Sequence, residues 1–376
     1  MKDKVIIVGS GFGGLESALK LRQLNKEVDI IVIDKKPFFV YQPSLHKLIS
    51  MTAKKKEIII DLEKLYTKHN IRFYKEDVVE IKPLEKSVVT MSRKLNFDYL
   101  VIGVGGVTNF FGIDGAEENT LPLKTIFDTK KIKKNLFEEL EKASHYKEPI
   151  NIVVAGGGFT GIETAGELAD ITKGKGKVII IESSTSILKG LGNKVIQFAE
   201  TTLKEKGVEI KINNKIKKVE KGKITLENEE TIYSNIIIWC CGIKPNRLTY
   251  KSGLRTSDRG GIMINEFLQT SHPHIYAAGD CAYIYKSPQP QTALIALKQG
   301  MLIAENINAD IRKLDKKAFE PMDWPFLISL GKRKAILIKN KNVKTGFIPS
   351  IMKKFVQKNY VFNKKNHKWP FKIKLE

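Results

Sequence analysis

Apolar residues enter this chain in short unbroken runs that end in glycine. Lys4–Val8 is the first such run, and Leu15, Ala18, Leu19 and Leu21 after it recur at helical spacing. A second run, Val28–Ile33, ends at Asp34, so the pattern predicts a strand, a helix and a second strand. Lys54–Glu57, a helical stretch over Leu62–His69, and segments at Ile71–Tyr74, Val78–Ile81 and Ser87–Met91 predict a small antiparallel excursion. The strand Tyr99–Val104 ends among Gly103, Gly105 and Gly106.

After a Lys-rich helical stretch, Thr125–Ser144, the same grammar begins again. Ile150–Val154 reads as a strand, Gly156–Gly161 as a glycine turn, Ile162–Asp170 as a helix and Lys177–Ile181 as a strand ending at Glu182. Ile236–Trp239 leads into Cys241-Gly242 much as Val101 leads into Gly105. Ile275–Asp280 reads as a strand-to-loop junction, and a helix is expected from about Gln291 to Asn308. The implied class is α/β, with two Rossmann-like dinucleotide-binding domains. The expected boundaries are 1–118 with 254–312 for the first domain, split by 119–253 for the second, and 313–376 as a C-terminal unit.

The two turns carry specific chemistry. In Gly9-Ser10-Gly11-Phe12-Gly13-Gly14, Gly9 makes the turn, Gly11 lets a pyrophosphate approach the backbone, and Gly14 lets helix and strand pack closely. The following helix presents free N–H groups and a positive dipole to the phosphates. Asp34 lies about 20 residues on, where an acid accepts from ribose hydroxyls. Gly156, Gly158 and Gly161 repeat the pattern, with Glu182 as the acid. A carboxylate there accepts from a 2′-hydroxyl and repels a 2′-phosphate, and no Arg or Lys follows until Lys189. NADH is therefore expected over NADPH. The N-terminal position of the first turn points to FAD, with Gly105 at the next strand end. Tyr276-Ala277-Ala278-Gly279-Asp280 has the form that closes a flavin site, Asp280 accepting from the ribityl or pyrophosphate region. An ordinary turn aspartate fits the same residues.

At this point the chain resembles the type II NADH dehydrogenases, the single-subunit, non-proton-pumping NADH:quinone oxidoreductases of the respiratory chain. The resemblance rests on Thr108-Asn109-Phe110-Phe111-Gly112-Ile113, Gly157–Glu163 with Ala165-Gly166-Glu167-Leu168, Gly279-Asp280-Cys281-Ala282 and Phe39-Val40-Tyr41-Gln42-Pro43. It implies a disulfide-reductase-like flavoprotein fold, FAD and NADH as cofactors, and a membrane quinone as acceptor. It also places Glu163 near the nicotinamide and flavin, and it makes Gln42, Ala293, Leu294 and Gln299 quinone-site candidates. A first-turn glutamate serving the helix dipole is the other reading of Glu163. The family's quinone motif carries Gln where this chain has Leu294, and a second Gln is common where it has Lys298. With Gln299, Lys298 joins Glu163 in the candidate catalytic set, since a cation there would stabilise a reduced, anionic flavin. A solvent-facing Lys298 is equally compatible.

Composition narrows the alternatives. A chain of 376 residues holds two or three cores, and its net charge of +23 is carried mostly by Lys. Abundant Lys with scarce Arg suits diffuse attraction to anions better than base recognition, so a basic flavoprotein that binds nucleic acid is the weaker reading. No run approaches the ~20 apolar residues of a membrane span, and no signal peptide is expected after Met1. The cysteines Cys240, Cys241 and Cys281 have no zinc spacing, so no metal site is expected. Adjacent Cys240 and Cys241 read more simply as small apolar side chains than as a redox dithiol. A sulfide:quinone oxidoreductase needs cysteines flanking the flavin, and none precedes Cys240 or follows Cys281. A soluble NADH-dependent reductase of another acceptor stays compatible with Leu294.

The tail adds a location. No acid occurs from Trp324 to Leu375, while Ile351, Met352, Phe355, Val356 and Tyr360 share half of a helical wheel. Lys353, Lys354, Gln357 and Lys358 share the other half, the form of an in-plane helix on an anionic leaflet. A core or dimer-packing helix is the competing reading. Trp369 and Phe371 add possible interfacial anchors. The expected place is the cytoplasmic face of the cell membrane, held peripherally, with a homodimer as the assembly.

Overall fold

The structure, a computed structural model, describes residues 2–320, 325–339 and 342–366. The chain divides into two compact units: Met1–Val40, Ile59–Val107 and Ile243–Met322 form one, and Tyr41–Ile58, Thr108–Gly242 and Asp323–Glu376 the other. The helices used below are α1 (Phe12–Leu24), α2 (Leu45–Ile49), α3 (Phe159–Thr172), α4 (Ala293–Arg312) and α5 (Phe347–Lys365).

In the first unit a parallel sheet runs in the order Ile275–Ala277, Tyr99–Ile102, Lys4–Val8, Asp29–Ile33, Arg72–Tyr74. Its strands, apart from the edge strand Arg72–Tyr74, are near-continuous buried apolar runs because both faces are covered, as parallel sheets require. In the second unit the order is Leu121–Pro122, Ile236–Trp239, Ile150–Ala155, Gly176–Ile181, Val208–Lys211, again parallel. The repeat seen in the sequence is thus a repeat of topology. It extends to a three-stranded antiparallel insert in each unit, Val78–Asn96 in the first and Ile216–Tyr233 in the second.

Helix α1 packs on α4 at a crossing so close that a Cβ on Gly300 would lie 2.1 Å from the Gly13 carbonyl oxygen. Ser17 Oγ bridges the crossing, donating to the carbonyls of Gly13 at 2.9 Å and Gly300 at 3.0 Å. Helix α4 starts at Ala293 because Thr292 caps it, its hydroxyl accepting from Ile295 N–H at 3.3 Å.

The observed division differs from the expected one: the boundaries fall at 107/108 and 242/243 rather than 118/119 and 253/254. Residues 41–58 belong with the second unit, and the C-terminal stretch is not a body of its own. Its beginning stays in the first unit, where Phe319 N–H donates to Glu266 O at 2.7 Å. Its remainder folds as a three-stranded antiparallel sheet (Phe326–Ser329, Ala335–Lys339, Asn342–Gly346) followed by α5, inside the second unit. Local periodicity could not reveal this: α5 packs on the strands just before it, but its buried polar side chains meet Glu163 and Ser44, far away in sequence.

Candidate functional site

In the first unit the carboxyl ends of adjacent parallel strands gather Gly9, Asp34, Gly105 and Asp280, which is where ligands of such sheets bind. Gly9 has φ +92°, and a Cβ on it would meet Gly103 O at 2.4 Å. A Cβ on Gly14 would lie 1.9 Å from Gly9 O, which explains the glycine there. Gly11 is the N-terminal cap of α1 and contributes no side-chain cap, so the first helical amides remain available to an anion. Asp34 accepts from Ser10 N–H at 2.6 Å and from Lys36 N–H at 2.8 Å. Burial pushes its pKa up, and these two amides oppose the shift.

Asp280 sits in the short turn Gly279–Cys281, directly after the strand Ile275–Ala277. Gln299 is buried, and its Oε1 accepts from Gly279 N–H at 2.7 Å. Its carboxamide oxygen is therefore committed to holding the turn that carries Asp280. Lys298, one position earlier, is half-buried; burial lowers its pKa and Glu305 opposes the shift. Ala293 and Leu294 are half-buried in the first turn of α4. Gln42 is exposed and belongs to the second unit.

The second unit builds the matching cradle. Gly156 has φ +102°, and a Cβ on it would lie 2.8 Å from Cys240 O. A Cβ on Gly161 would lie 1.9 Å from Gly156 O, repeating the relation of Gly14 to Gly9. Gly158 caps α3 without a side-chain bond and faces open space. Glu182 accepts from Gly157 N–H and Ser184 N–H, each at 2.7 Å. Burial pushes its pKa up, but these amides, with the Ser184 and Ser183 side chains, more than reverse this and hold it below the usual range. It is thus a fixed carboxylate. Lys211, a nearby cation, is bound to Glu230 at 2.8 Å and Glu209 at 3.5 Å. Among the described residues, both cradles fit a pyrophosphate-bearing cofactor: uncapped helix ends, glycines without obstruction, and an acid aligned by the turn itself.

The segment Thr108–Ile113 closes the end of the second sheet. Trp239 Nε1 donates to Asn109 O at 2.8 Å, and the Phe110 and Trp239 rings lie 5.7 Å apart. Cys241 packs on this core with Phe110 and Ile113. Burial pushes the Cys240 thiol up to about 12 and the Cys241 thiol up as well, so neither is a thiolate near neutrality. The pair behaves as apolar filling.

Sequence reasoning missed what surrounds Glu163. This carboxylate is buried on α3 and contacts Lys353 Nζ of α5 directly. Its Oε1 also accepts from Ser329 N–H at 2.8 Å and Ser329 Oγ at 3.1 Å, and His46 Nδ1 lies 3.6 Å from Oε2. Burial pushes Glu163 up; Lys353 leads the interactions that more than reverse this, so its pKa lies below the usual range. Burial lowers His46 to about 3, so its imidazole is neutral. One turn on, Glu167 accepts from Ser50 Oγ and from Thr52 Oγ1 at 2.9 Å. Glu163 is therefore not serving the helix dipole alone, and the partner that holds it ionised comes from the tail.

The tail helix leaves an apolar stripe exposed and turns part of its polar half toward the protein. Lys353, Gln357, Tyr360, Val361 and Lys364 face inward. Phe347, Ile348, Ile351, Phe355 and Phe362 are 58, 70, 49, 67 and 56% exposed. Lys354, Lys358 and Lys365 are exposed beside that stripe. The expected solvent placement of Lys353 and Gln357 is corrected, as is that of Tyr360 on the outer apolar half. Glu163 draws Lys353 inward, and a buried carboxylate without that cation would cost several kcal/mol, about 3–5. The Lys353–Gln357–Tyr360–Lys364 spacing was the available signal. Trp369 and Phe371 lie outside the described residues.

No helix among the described residues is long and apolar enough to cross a membrane, and no cluster of ligating side chains there suits a metal.

Comparison with known proteins agrees with this arrangement. Residues 3–300 match the family described as pyridine nucleotide-disulphide oxidoreductase. A type II NADH:quinone oxidoreductase of Staphylococcus aureus is 25% identical over 386 aligned positions, covering 96% of each chain. Among solved structures, NDH2 from Plasmodium falciparum in complex with NADH superposes with a TM-score of 0.87 at 20% identity, covering 99% of this chain and 100% of that one. The sulfide:quinone oxidoreductase of Aquifex aeolicus gives a TM-score of 0.85 at 22% identity, covering 97% and 92%.

Proposed function

The chain belongs to the pyridine nucleotide-disulphide oxidoreductase family, and from that premise we propose that it is an FAD-dependent NADH:quinone oxidoreductase of the type II class. The observation that carries this reading is the pair of matched cradles, each with its own acid, in a chain related along 96% of its length to a type II NADH:quinone oxidoreductase. Bound FAD supplies two-electron chemistry between a nicotinamide and a quinone.

The chain's own residues bind and orient. Gly9, Gly11, Gly14 and the start of α1 receive the FAD pyrophosphate, Asp34 its ribose, and Gly105 and Asp280 the stretch toward the flavin. Gln299 is a positioning residue that fixes the Asp280 turn through Gly279. Gly156, Gly158 and Gly161 receive the NADH pyrophosphate, and Glu182 its adenosine ribose. Glu163 is the carboxylate that positions the nicotinamide or takes up a proton. Lys298 would supply positive charge to a bound flavin, and Ala293 and Leu294, at the start of α4, would border the acceptor. Leu294 offers no hydrogen bond, so the quinone head group is held by shape and by its other neighbours.

Sulfide as the reductant is disfavoured by the thiols. All three cysteines are raised above their ordinary range by burial, so none offers a reactive thiolate near neutrality for sulfur chemistry. The apolar stripe of α5 with its flanking lysines supports a peripheral site on an anionic, cytoplasmic membrane face. A homodimer without a nucleic-acid partner completes the reading, and sedimentation with and without DNA tests it.

The defining experiment is anaerobic. NADH should bleach the flavin, and a quinone should restore its absorbance at a catalytically competent rate. Restoration by a soluble protein acceptor but by no quinone would sink the proposal. Glu182→Ala should raise the NADH KM about tenfold, the size of a lost charged hydrogen bond, and narrow the preference over NADPH. An unchanged NADH-to-NADPH ratio of kcat/KM would refute the role given to Glu182.

A further inference from the structure

The parallel sheet of the first unit gives its cradle a direction. Lys4–Val8 leads to Gly9, its neighbour Asp29–Ile33 leads to Asp34, and the next strand outward, Arg72–Tyr74, ends at Tyr74. Tyr74 O accepts from Asp34 N–H at 3.1 Å and from Glu76 N–H at 3.0 Å, so that strand end touches the ribose acid itself. A dinucleotide with its pyrophosphate at Gly9 and its ribose on Asp34 points onward to Tyr74 with its base. The antiparallel insert reaches the same place. At the turn between Ser87–Thr90 and Lys94–Asn96, Arg93 lays its guanidinium over the Tyr74 ring, Cζ lying 4.2 Å from the centroid. Glu76 fixes it there: one carboxylate oxygen accepts from Arg93 Nη2 at 2.6 Å, the other from Thr90 Oγ1 at 2.5 Å. Thr90 is buried and its hydroxyl also accepts from Arg93 N–H at 3.1 Å, which pins the turn. The Arg93 side chain nevertheless stays 40% exposed. A surface ion pair adds little to stability, so a guanidinium held flat by Tyr74 and Glu76 calls for another explanation.

We propose that Arg93 is the stacking platform for the adenine of FAD, the contact by which the first cradle selects a dinucleotide flavin over a mononucleotide one. The inference rests on the reading of that cradle as the FAD site. A guanidinium is planar and stacks on π-faces, and a purine offers such a face whatever its edges bond to. One side of the Arg93 plane rests on Tyr74, so the adenine takes the other, in the order base, guanidinium, tyrosine ring. Glu76 already answers the charge of Arg93, which leaves the plane rather than the charge for the ligand. In a chain whose positive charge is mostly Lys, an arginine at this place fits a base, where a lysine would have served a phosphate.

The test is the affinity of the full chain for FAD and for FMN, read from the fluorescence of free flavin at equilibrium. FMN carries the isoalloxazine ring and a phosphate but no adenine. Arg93→Ala should weaken FAD about tenfold, the weight of one stacked base, and leave FMN unchanged. Arg93→Lys keeps the charge without the plane and should lose as much. Equal losses for FAD and FMN would mark a structural role, and full FAD affinity in Arg93→Lys would mark a charge contact; either overturns the proposal. Melting temperature accompanies each variant, and Arg93→Lys, which can keep the ion pair with Glu76, decides the matter alone if Arg93→Ala does not fold. Asp34→Ala separates the two readings. Unchanged FAD affinity in Asp34→Ala would remove the FAD site from the first cradle, whereas a weakened Asp34→Ala beside an unaltered Arg93→Ala would remove only the role of Arg93.

Discussion

Lys353→Met should destabilise the protein by about 3–5 kcal/mol, a drop in Tm on the order of 10 °C for a unit of this size. The substitution keeps the length of the side chain and removes its charge, leaving Glu163 buried beside a neutral imidazole and the hydroxyl and amide of Ser329. In the wild type the pKa of Glu163 lies below its ordinary range. Its contribution is therefore present above the unfolded glutamate pKa and lost as pH falls through the folded value. In the variant burial goes unopposed by Lys353, so the folded pKa rises above the unfolded one and the sign reverses. Stability is then retained at acid pH and lost as pH rises. The gap in Tm between the two proteins should accordingly shrink on acidification. A gap that stays constant with pH would show that Lys353 acts by packing alone. NADH-dependent flavin bleaching should also slow in Lys353→Met, since Glu163 takes up a proton where the wild type holds an anion.

The paired substitution Ile351→Asp/Phe355→Asp should abolish binding to anionic vesicles and leave the chemistry intact. Both side chains lie on the exposed stripe of α5, at 49 and 67% exposure, so neither supports the core. Each apolar side chain that enters the lipid boundary contributes about 1.5–3 kcal/mol. Losing both, and adding two negative charges near an anionic surface, should lower partitioning more than about a hundredfold. Turnover of NADH with a water-soluble quinone analogue should be unchanged. Lys354→Gln and Lys358→Gln should weaken binding less, and only at low salt, because their attraction is screened within a Debye length. Vesicle binding that survives the paired aspartates would move the membrane contact elsewhere on the chain.

The tail shows where reading the sequence stopped. A helical wheel separates Ile351 and Phe355 from Lys353 and Gln357, and that separation is correct. Which half meets the protein is a different question. Intuition turns lysine outward, and that placement holds for Lys354 and Lys358 but not for Lys353. The deciding partner, Glu163, is 190 residues away in sequence, and only the fold shows that its charge needs an answer. Gln299 teaches the same lesson in the first unit. The resemblance makes it a quinone-site candidate, and the bond its oxygen accepts from Gly279 N–H could not be read from the motif.

The cradles, by contrast, were legible residue by residue. Strand, glycine turn, helix, strand and acid are contiguous, and each glycine answers a steric demand of its own turn. A Cβ on Gly14 or Gly161 would meet a carbonyl oxygen of the same turn at 1.9 Å. The sequence by itself therefore determined two strand–glycine–helix turns and the acid that each aligns, because those rest on local backbone geometry. Tertiary structure alone decided which charges are buried together. Glu163, Lys353 and His46 come from three separate stretches of chain, and an ionisable group's state depends on neighbours in space, through burial and Coulomb energy.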